Sequence, residues 1–595
     1  MGVTRKSVVF VVVVTFVGLL TYSYHLELGF SLTTSMIATA PSPFTIHQCH
    51  PDLLATLLHD PHPLFETNED YLMPYLRKEG IPAQNGAGMR RERLDPVERY
   101  LFRQPPTTDT RCLPEELNST VRIISPRDRY TVGDTVQIRL DLYTGYGTPR
   151  HSGGDDVRIW LKSASGNSSA VAKVTDLNNG SYLADAVLKW PGVTLVRVSL
   201  THPQEYLREL SKLFHTIHSL QWITDVFTND DGITEKTLCF HFAPIPGFTK
   251  ICNLTSRNGD RTWFCSHPVS EGLNCSHWRE NKHMSYQSID KTPIARMVRP
   301  FLSKLKNCCS NTSLALRLVP NNIKIHTTQS PSKNPPALPP CWARPPRDTW
   351  QSSAHTGWLN KWAWQSNTCS LPALTPERVQ RCMRNTTLIL LGDSNQRLWF
   401  DIITYRFAHC EMYKSSGPWH APRLCQNFNL NSTLMFLSHA LPFNVGRHAD
   451  LVTIPLPRAL DNVLHYATPG GKAVIVVHFY RHFTAFSVAL YRQRVREARQ
   501  TLQDFVQLHP NVKVIIRGPH AVYQSHMGTT MVGDASVSSY RDVWKKEFVG
   551  LEDKVWFLDL WDLSVAAENM FAHPVSVVDT EMVKLLFGYM CEGEA

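Results

Sequence analysis

Two patterns of hydrophobic and polar positions divide the chain. Between about residues 120 and 202, short runs such as TVQIRLDLY and DVRIWLKS alternate apolar with polar positions, and turn-forming stretches such as NNGS separate them. Alternation gives a strand one buried and one solvent-facing side, which is typical of antiparallel sheets. The pattern therefore predicts an N-terminal antiparallel β-sandwich of the immunoglobulin-like kind.

From about residue 341 onward, fully apolar runs alternate with amphipathic segments. Strands are predicted at residues 387–391, 473–477, 514–516 and 555–558, and helices at about residues 486–508 and 577–589. A helix after the first of these strands would present Leu398, Ile402 and Tyr405 on its apolar face. Apolar strands that alternate with helices indicate a mostly parallel sheet with helices on both faces, whose reactive site lies at the C-terminal strand ends.

The two patterns, together with the composition of the stretches around them, divide the 595 residues into five segments. Arg5 and Lys6 precede an apolar run with no charged residue up to position 26, which predicts an uncleaved signal-anchor or, as the alternative, a cleaved signal peptide. We expect the protein in the Golgi membrane with type II orientation, or secreted. The predicted segments are 1–26 signal-anchor or signal peptide, 27–119 stem, 120–320 sandwich with a cysteine-rich extension, 321–340 proline-rich linker and 341–595 α/β domain.

Cysteines and glycosylation sequons independently indicate the secretory pathway. The 14 cysteines fall into groups of two, six and six, which suits disulfides closed within each group, and the absence of a C-x-x-C pair gives no reason to expect a metal. The formal net charge of +10, without a block of Lys or Arg, gives no reason to expect a nucleic-acid partner. N-glycosylation sequons occur at Asn118, Asn167, Asn179, Asn253, Asn274, Asn311, Asn385 and Asn431.

The stretch LILLGDSNQRLW, at residues 388–399, is the strongest chemical signal in the chain. Ser394 follows the predicted strand by three residues and stands where a helix would begin. Backbone N–H groups at a helix N-terminus stabilise an anion, so a serine nucleophile there would have oxyanion donors close by. The alternative is a serine that only caps the helix.

Several motifs in order along the chain resemble one family. The sequence LGDSNQRLW resembles the GDS block of the SGNH/GDSL hydrolases, in the variant of the PC-esterases. RHSGGDD at residues 150–156 and the stretch at residues 176–210 resemble a neurexophilin domain. HTGWLNKWAWQSNTCSL resembles the start of a PC-esterase domain, and FAHP with LLFGYMC resembles its end. Over residues 100–595 the chain resembles the NXPE family, a neurexophilin domain followed by a three-layer α/β SGNH-like domain.

The resemblance implies roles for four residues. Ser394 would be the nucleophile, and His573, in NMFAHP, would be the general base that takes its proton. His482 falls at the family's third block, whose polar side chain helps to bind the oxyanion. Asn395, beside the nucleophile, is a weaker candidate for contact with the oxyanion or the substrate.

The sequence departs from the family's pattern at two positions. Tyr480 stands where the third block has a glycine, whose N–H approaches an oxyanion closely. Met570 stands where many PC-esterases have the aspartate that orients the histidine, and loss of an orienting carboxylate lowers turnover by about four orders of magnitude in a triad enzyme. The substitutes in this sequence are Glu568, Asp562 and Asp559.

The resemblance implies a serine acetyltransferase or esterase that acts on glycan hydroxyls, such as O-acetyl groups of sialic acids. No bound cofactor is expected, and acetyl-CoA is the acyl donor to consider if the protein is a transferase. The expected partners are a glycan or glycoprotein substrate and, through the N-terminal segment, a membrane. The alternative is a neurexophilin-like glycoprotein that binds a cell-surface receptor through its β-sandwich and carries an inactive esterase domain.

Overall fold

A computed structural model describes the chain between residues 100 and 593. The segments left out of this range are 102, 104–108, 218–220, 241–242, 244, 246–247, 259–261, 280–284, 289–317, 330–336, 352–354, 406–409, 415–421, 440–446, 449–450, 453–455, 468–469, 485 and 524–534. Among the described residues, no helix is both long and apolar enough to cross a bilayer. The predicted signal-anchor at residues 1–26 and most of the predicted stem lie outside this part of the chain.

The regular elements of the described residues are numbered in chain order. The strands are β1 Thr120–Ile124, β2 Tyr130–Thr131, β3 Thr135–Asp141, β4 Asp156–Ser163, β5 Ser169–Val171, β6 Lys173–Asp176, β7 Ser181–Val187, β8 Gly192–His202, β9 Gln221–Thr228, β10 Thr234–Phe240, β11 Ile251–Asn253, β12 Phe264–Ser266, β13 Ser285–Ser288, β14 Lys324–Thr328, β15 Gly357–Asn360, β16 Ala363–Ser366, β17 Thr386–Gly392, β18 Glu411–Lys414, β19 Arg423–Asn427, β20 Ser432–Ser438, β21 Arg447–His448, β22 Leu451–Val452, β23 Lys472–Val477, β24 Val512–Arg517 and β25 Val555–Leu558. The α-helices are α1 Gln204–Ile217, α2 Pro346–Trp350, α3 Pro376–Met383, α4 Ser394–Ile403, α5 Leu456–Tyr466, α6 Val488–Leu508, α7 Val537–Glu547, α8 Trp561–Ala566 and α9 Ser576–Met590.

The alternating runs of the N-terminal half form two sheets around one core. One sheet has the order β1-β3-β7-β6, and β5, β4, β8, β14 and β2 lie in a second. In β3, Val136, Ile138 and Leu140 are buried, whereas the residues between them are exposed or half-buried. Apolar side chains of β3, β4, β7 and β8 meet in one cluster. We call the described residues of 120–202, together with β14, the N-terminal β module.

The region after the N-terminal β module is held by disulfides. It begins with α1 and continues as a sheet of order β11-β12-β10-β9-β13. Cys239–Cys265 joins the neighbouring strands β10 and β12, and Cys252–Cys275 closes the next loop. Residues 321–340 were predicted as a linker, but β14 lies within them and pairs with β8 and β2. An isolated strand flanked by prolines carries too short a pattern to predict this pairing.

The C-terminal region contains a mixed sheet of order β18-β19-β20-β17-β23-β24-β25. Five neighbouring strands of this sheet, β20, β17, β23, β24 and β25, are parallel to one another. β18 and β19 add an antiparallel edge. The chain runs from β17 to β20 on one side of it and then returns past β17 to β23 on its other side, so the strand order changes direction at β17. Doubly wound sheets bind their ligands at such a switch point, beyond the C-terminal strand ends.

Helices cover both faces of this parallel sheet. Every residue of β17 is buried, and its side chains divide between two apolar clusters, one on each face. Leu388 and Leu390 pack toward α4 and α9, whereas Ile389 and Leu391 pack toward α5 and α6. Burial of one such side chain contributes about 1.5–3 kcal/mol. The sequence prediction of apolar strands alternating with helices is confirmed for this part of the chain.

The predicted apolar face of α4 is wrong. Trp399, Phe400 and Ile403 are buried, whereas Leu398 and Ile402 are half-buried and Tyr405, beyond the end of the helix, is 62% exposed. The helix starts directly after β17, so the strand sets its rotation. The turn between β17 and α4 therefore decides which side chains of α4 face the sheet and α9. The spacing of apolar residues along α4 does not reveal this.

The N-terminal β module and the C-terminal region share a sheet. β15 pairs with β5 at Leu359 and Ser169, which extends that sheet to the order β16-β15-β5-β4-β8-β14-β2. Trp190 stacks on Trp358 with ring centroids 6.0 Å apart. The predicted segments on the two sides of the linker are thus joined by backbone hydrogen bonds as well as by side-chain packing.

The last group of six cysteines closes within itself, as its even number predicts. Its disulfides are Cys341–Cys369, Cys382–Cys591 and Cys410–Cys425. Several disulfides fit a protein of the secretory pathway or the cell exterior, where an oxidising environment preserves them.

Candidate active site

Strand β17 passes directly into helix α4 at the GDS sequence. Gly392 ends the strand, Asp393 caps the helix and Ser394 is its first residue. A Cβ atom on Gly392 would lie 2.3 Å from Cγ of Gln396 and 3.0 Å from the carbonyl oxygen of His478. Only glycine allows the strand end, the helix and the neighbouring strand to approach this closely.

Asp393 is a fully buried carboxylate that organises this turn. Its Oδ1 accepts the N–H of Asn395 at 2.9 Å, and its Oδ2 accepts the N–H of Arg481 at 2.8 Å. Burial alone raises the pKa of Asp393, but electrostatic interaction with His478, His482 and His439 and the Arg481 N–H hold the pKa well below its usual range. Asp393 is therefore ionised and ties α4 to the segment after β23.

Ser394 and His573 meet across the C-terminal edge of the sheet. The Ser394 Oγ lies 2.6 Å from the His573 Nε2, although 179 positions separate the residues in sequence. His573 lies in the loop between α8 and α9 and is an exposed residue, whereas Ser394 is 6% exposed. The serine hydroxyl is thus within hydrogen-bond distance of an imidazole in a surface loop.

The surroundings of His573 favour its neutral form. Partial burial lowers the pKa of His573, the negative charge of Asp393 opposes this, and Arg397 and Arg481 lower the pKa further. The net pKa lies below the ordinary histidine value. At neutral pH the imidazole is therefore unprotonated and able to accept the proton of Ser394.

The two oxyanion candidates lie beside this pair. His482 occupies a 3₁₀ turn after β23, burial lowers its pKa, and its imidazole interacts electrostatically with both Asp393 and His573. Asn395 is fully buried, and its side-chain amide has no hydrogen-bond partner among the described residues. An unpaired buried amide costs about 1–3 kcal/mol, so a water molecule or a substrate group at Asn395 would be stabilised.

Among the described residues, none of the three candidate acids forms a hydrogen bond or an ion pair with His573. Glu568 binds two side chains of β4. Asp562 accepts the backbone N–H of Thr356 at 2.8 Å, and Asp559 accepts from Arg541 at 2.5 Å. These partners hold the three carboxylates in structural roles. The carboxylate that interacts with His573 through its charge is instead Asp393, in the turn before Ser394.

Tyr480, which stands where the family has a glycine, packs into the core of the C-terminal region. Its side chain is fully buried, its hydroxyl donates to the carbonyl oxygen of His520 at 2.8 Å, and its ring packs edge-on against that histidine. Met570 packs against the apolar cluster around Trp160. Both departures thus serve packing, and neither side chain blocks Ser394 from His573.

Two buried histidines support the site and were missed by the sequence analysis. His478 Nδ1 donates to the carbonyl oxygen of Arg517 at 2.9 Å, and His520 Nε2 donates to that of Ala572 at 3.2 Å, because a carbonyl oxygen only accepts. Burial lowers the pKa of His478 to about 4. Both residues follow the C-terminal ends of strands, which is the signal that could have found them. His520 fixes the residue next to His573.

The sequon asparagines lie mainly on the surface of the described residues. Asn167 is half-buried, and Asn311 lies outside the described residues. The exposed ones are Asn118, Asn179, Asn253, Asn274, Asn385 and Asn431.

A separate cavity of about 130 Å³ lies between α9 and the segment before β15. Arg344, Trp364 and Tyr589 line it, and neither Ser394 nor His573 does. The Arg344 guanidinium donates to the Tyr589 hydroxyl there at 2.9 Å. This cavity is therefore separate from the serine–histidine pair, which lies at the C-terminal edge of the sheet.

These observations define a class of domain: a doubly wound α/β domain with a serine–histidine pair at the C-terminal edge of its parallel sheet. Residues 364–591 match the family model described as NXPE family member 4-like, C-terminal domain. The match confirms the resemblance to the NXPE family for residues 364–591 of the chain. The matched residues begin within β16 and end at Cys591, so they include Ser394 and His573.

Proposed function

We propose that the protein is a serine acyltransferase or esterase of the secretory pathway that acts on glycan hydroxyls, with acetyl as the acyl group. The contact between the Ser394 Oγ and the His573 Nε2 carries this proposal. The parallel order of β20, β17, β23, β24 and β25, with the serine after β17, supports an SGNH-like three-layer domain. The two sheets around one core support a neurexophilin-like sandwich for the N-terminal β module.

The first step of the reaction acylates Ser394. Its Oγ attacks the carbonyl carbon of the acyl donor while His573 Nε2 takes the hydroxyl proton. The negative charge that develops on the carbonyl oxygen is stabilised by the backbone N–H of Ser394 at the start of α4, with His482 and the amide of Asn395 as further donors. The leaving group then departs with the proton from His573, and an acyl-serine ester remains.

The second step removes the acyl group and regenerates the free hydroxyl of Ser394. A sugar hydroxyl or water gives its proton to His573 and attacks the acyl carbon, and the Ser394 Oγ leaves with the proton that His573 holds. A sugar acceptor makes the protein a transferase, and water makes it an esterase. Acetyl-CoA is the donor we propose for a transferase, and the proposed location is the Golgi membrane or the cell exterior.

Asp393 takes the place of the missing orienting carboxylate in this proposal. Its negative charge raises the pKa of His573 against the effect of burial. That charge stabilises the imidazolium that forms in each step, which is one of the two roles of a triad acid. The other role, holding the ring, falls to the loop of His573, whose Ala572 carbonyl is bound by His520.

A serine-reactive probe tests the proposal against the receptor-binding alternative. We expect a fluorophosphonate to label the purified full-length chain, and peptide mass spectrometry to place the adduct on Ser394. Incubation with O-acetylated and free sialoglycans is expected to show acetyl loss from the former or, with acetyl-CoA, gain on the latter. A chain that resists the probe and leaves every glycan unchanged, yet captures a cell-surface receptor through its N-terminal β module, would establish the alternative.

The pH dependence of turnover follows from the pKa of His573. Because the neutral imidazole is the base, activity is lost as the pH falls through the pKa of His573, and that pKa is lowered. We expect the acidic limb of kcat/KM for an acetyl ester below pH ~6.5, the ordinary histidine value. Asp393→Asn removes a charge that raises this pKa and is expected to move the limb to lower pH. A wild-type limb at or above the ordinary value contradicts the assignment of His573.

A further inference from the structure

One face of β4, in the N-terminal β module, is covered by the C-terminal region. Ile159 and Leu161 point into the core of the module, and Trp160, between them, lies in a separate cluster with Ala521, Tyr523 and Val565. The alternating pattern predicts that the Trp160 side of β4 faces solvent, but its ring is fully buried. The packing partner is the segment that follows β24 and helix α8, both next to the site.

The covered face of β4 also holds a carboxylate of the loop that carries His573. Glu568 Oε1 accepts the indole N–H of Trp160 at 2.9 Å, and Glu568 Oε2 accepts from the Lys162 Nζ at 2.6 Å. The side chains of Lys162 and Glu568 are 23% and 19% exposed, so solvent screens this ion pair less than a surface pair. Glu568 lies five positions before His573 in the chain.

The backbone of Glu568 is in a conformation that needs support. Its φ is +51°, in the left-handed region, where a residue with a Cβ is strained by about 1–2 kcal/mol. A glycine would remove this strain at the end of α8 but would have no carboxylate. The pair of bonds to β4 therefore compensates for a backbone turn that directs the chain from α8 toward His573.

Three further hydrogen bonds fix the rest of this loop. The side-chain amide of Asn569 donates to the carbonyl oxygens of Ala521 at 2.8 Å and Phe571 at 2.9 Å. The carbonyl of Ala572 accepts from His520 at 3.2 Å. Ala521 and His520 both belong to the segment after β24, which itself packs on Trp160. The loop that carries His573 and the segment after β24 that binds it thus both contact the same face of β4.

We propose that β4 is a positioning element of the active site, in which Lys162 and Trp160 act through Glu568 to place His573 against Ser394. The proposal rests on the proposed function, and it makes the N-terminal β module part of the catalytic unit. Lys162 and Trp160 touch no reacting atom, so they are positioning residues. Their effect is expected on the rate of the chemical step, since a displacement of about 1 Å lowers a rate by about 100-fold.

The test compares variants of the full-length chain. Lys162→Met keeps the aliphatic stem and removes the charge, and Glu568→Gln keeps the side-chain length and an acceptor for Trp160. We expect each to lower kcat for an acetyl ester, and the rate of fluorophosphonate labelling of Ser394, by 10- to 100-fold, with KM changed less than twofold. Lys173→Met, on the exposed strand β6, is the matched control and is expected to react at the wild-type rate.

Hydrogen exchange separates this proposal from the proposed function, because it needs no turnover. In Lys162→Met we expect amides of residues 568–573 to exchange at least tenfold faster, while those of β17 and β23 keep their wild-type rates. If the wild type is inert but this local change occurs, the proposed function fails and the positioning of the loop by β4 stands. Wild-type exchange in residues 568–573 of both single variants overturns the proposal, as does a labelling rate equal to that of Lys173→Met in an active protein.

Discussion

Replacement of Ser394 by alanine is expected to lower turnover of an acetyl ester by about four to six orders of magnitude, the range of nucleophile removal in serine enzymes. The expectation follows from the contact between the Ser394 Oγ and the His573 Nε2, since no acyl-enzyme forms without the hydroxyl. The measurement is kcat/KM of the purified full-length variant beside the wild type. His573→Ala is expected to lose nearly as much, and the double variant little more than either, because the two groups act as a unit.

The same replacement is expected to leave the fold intact. Ser394 contributes one partly buried hydroxyl, and α4 is capped by Asp393, so the free energy of unfolding should change by less than about 1.5 kcal/mol. Ser165→Ala, at an exposed turn of the N-terminal β module, is the matched control and is expected to retain full turnover. Turnover in Ser394→Ala within tenfold of the wild type would assign the chemistry to another residue.

Removal of the disulfide Cys382–Cys591 is expected to have the largest effect on stability. This bond joins the end of α3 to the residue after α9 across 209 positions, and both cysteines are buried in the core of the C-terminal region. In the loop-closure account, a loop of this length destabilises the unfolded state by about 5 kcal/mol. We expect the Cys382→Ala, Cys591→Ala double variant to lose about that much free energy of unfolding, measured by denaturant titration of tryptophan fluorescence.

The shorter bond Cys410–Cys425 supplies the comparison. Its cysteines are 15 positions apart, so the same account predicts a loss of about 3 kcal/mol for the corresponding double alanine variant. Which double variant loses more free energy of unfolding is a sharper test of the loop-closure account than either value alone. Equal losses, or a larger loss for the shorter loop, would show that local packing rather than chain entropy decides the contribution.

The position of the N-terminal β module changes how family resemblance should be interpreted in this chain. The family match begins at residue 364, within β16, yet β15 and β16 belong to the same sheet as β4 and β5. A fragment cut at the predicted linker would separate Glu568 from Trp160 and Lys162. We therefore expect fragment studies of the C-terminal region alone to underestimate its reactivity.

Local patterns were sufficient for many elements of the fold. The alternating runs of the first half became β1, β3, β4, β7 and β8, and the apolar runs of the second half became β17, β23, β24 and β25. The two long predicted helices correspond to α6 and α9, within two residues at each end. These patterns succeed because the periods of strands and helices act over neighbouring residues. The short strands β14 and β15 could not be predicted from their own sequences, because they become strands only by pairing with β8 and β5.

The site divides in the same way. Ser394 could be predicted from a short motif after an apolar run, and His573 from its resemblance, but the distance between them comes from the order of β17, β24 and β25 in the sheet. The acid could not be predicted, because Glu568 and Asp559 have partners that lie far away in sequence. The role of Asp393 is likewise visible only from its burial beside the histidines that surround it.

The sequence by itself determined the strand and helix types, the last cysteine group, which closes into three disulfides, and the serine at the strand–helix turn. These features depend on neighbouring residues or on counting, which a linear pattern contains. Only the tertiary structure decided which side of β4 and of α4 is buried, which carboxylate acts on His573, and which strand supports its loop. Those outcomes depend on partners 179 to 408 positions away in the sequence. The groups that pack against a side chain decide whether it is buried and whether it is ionised.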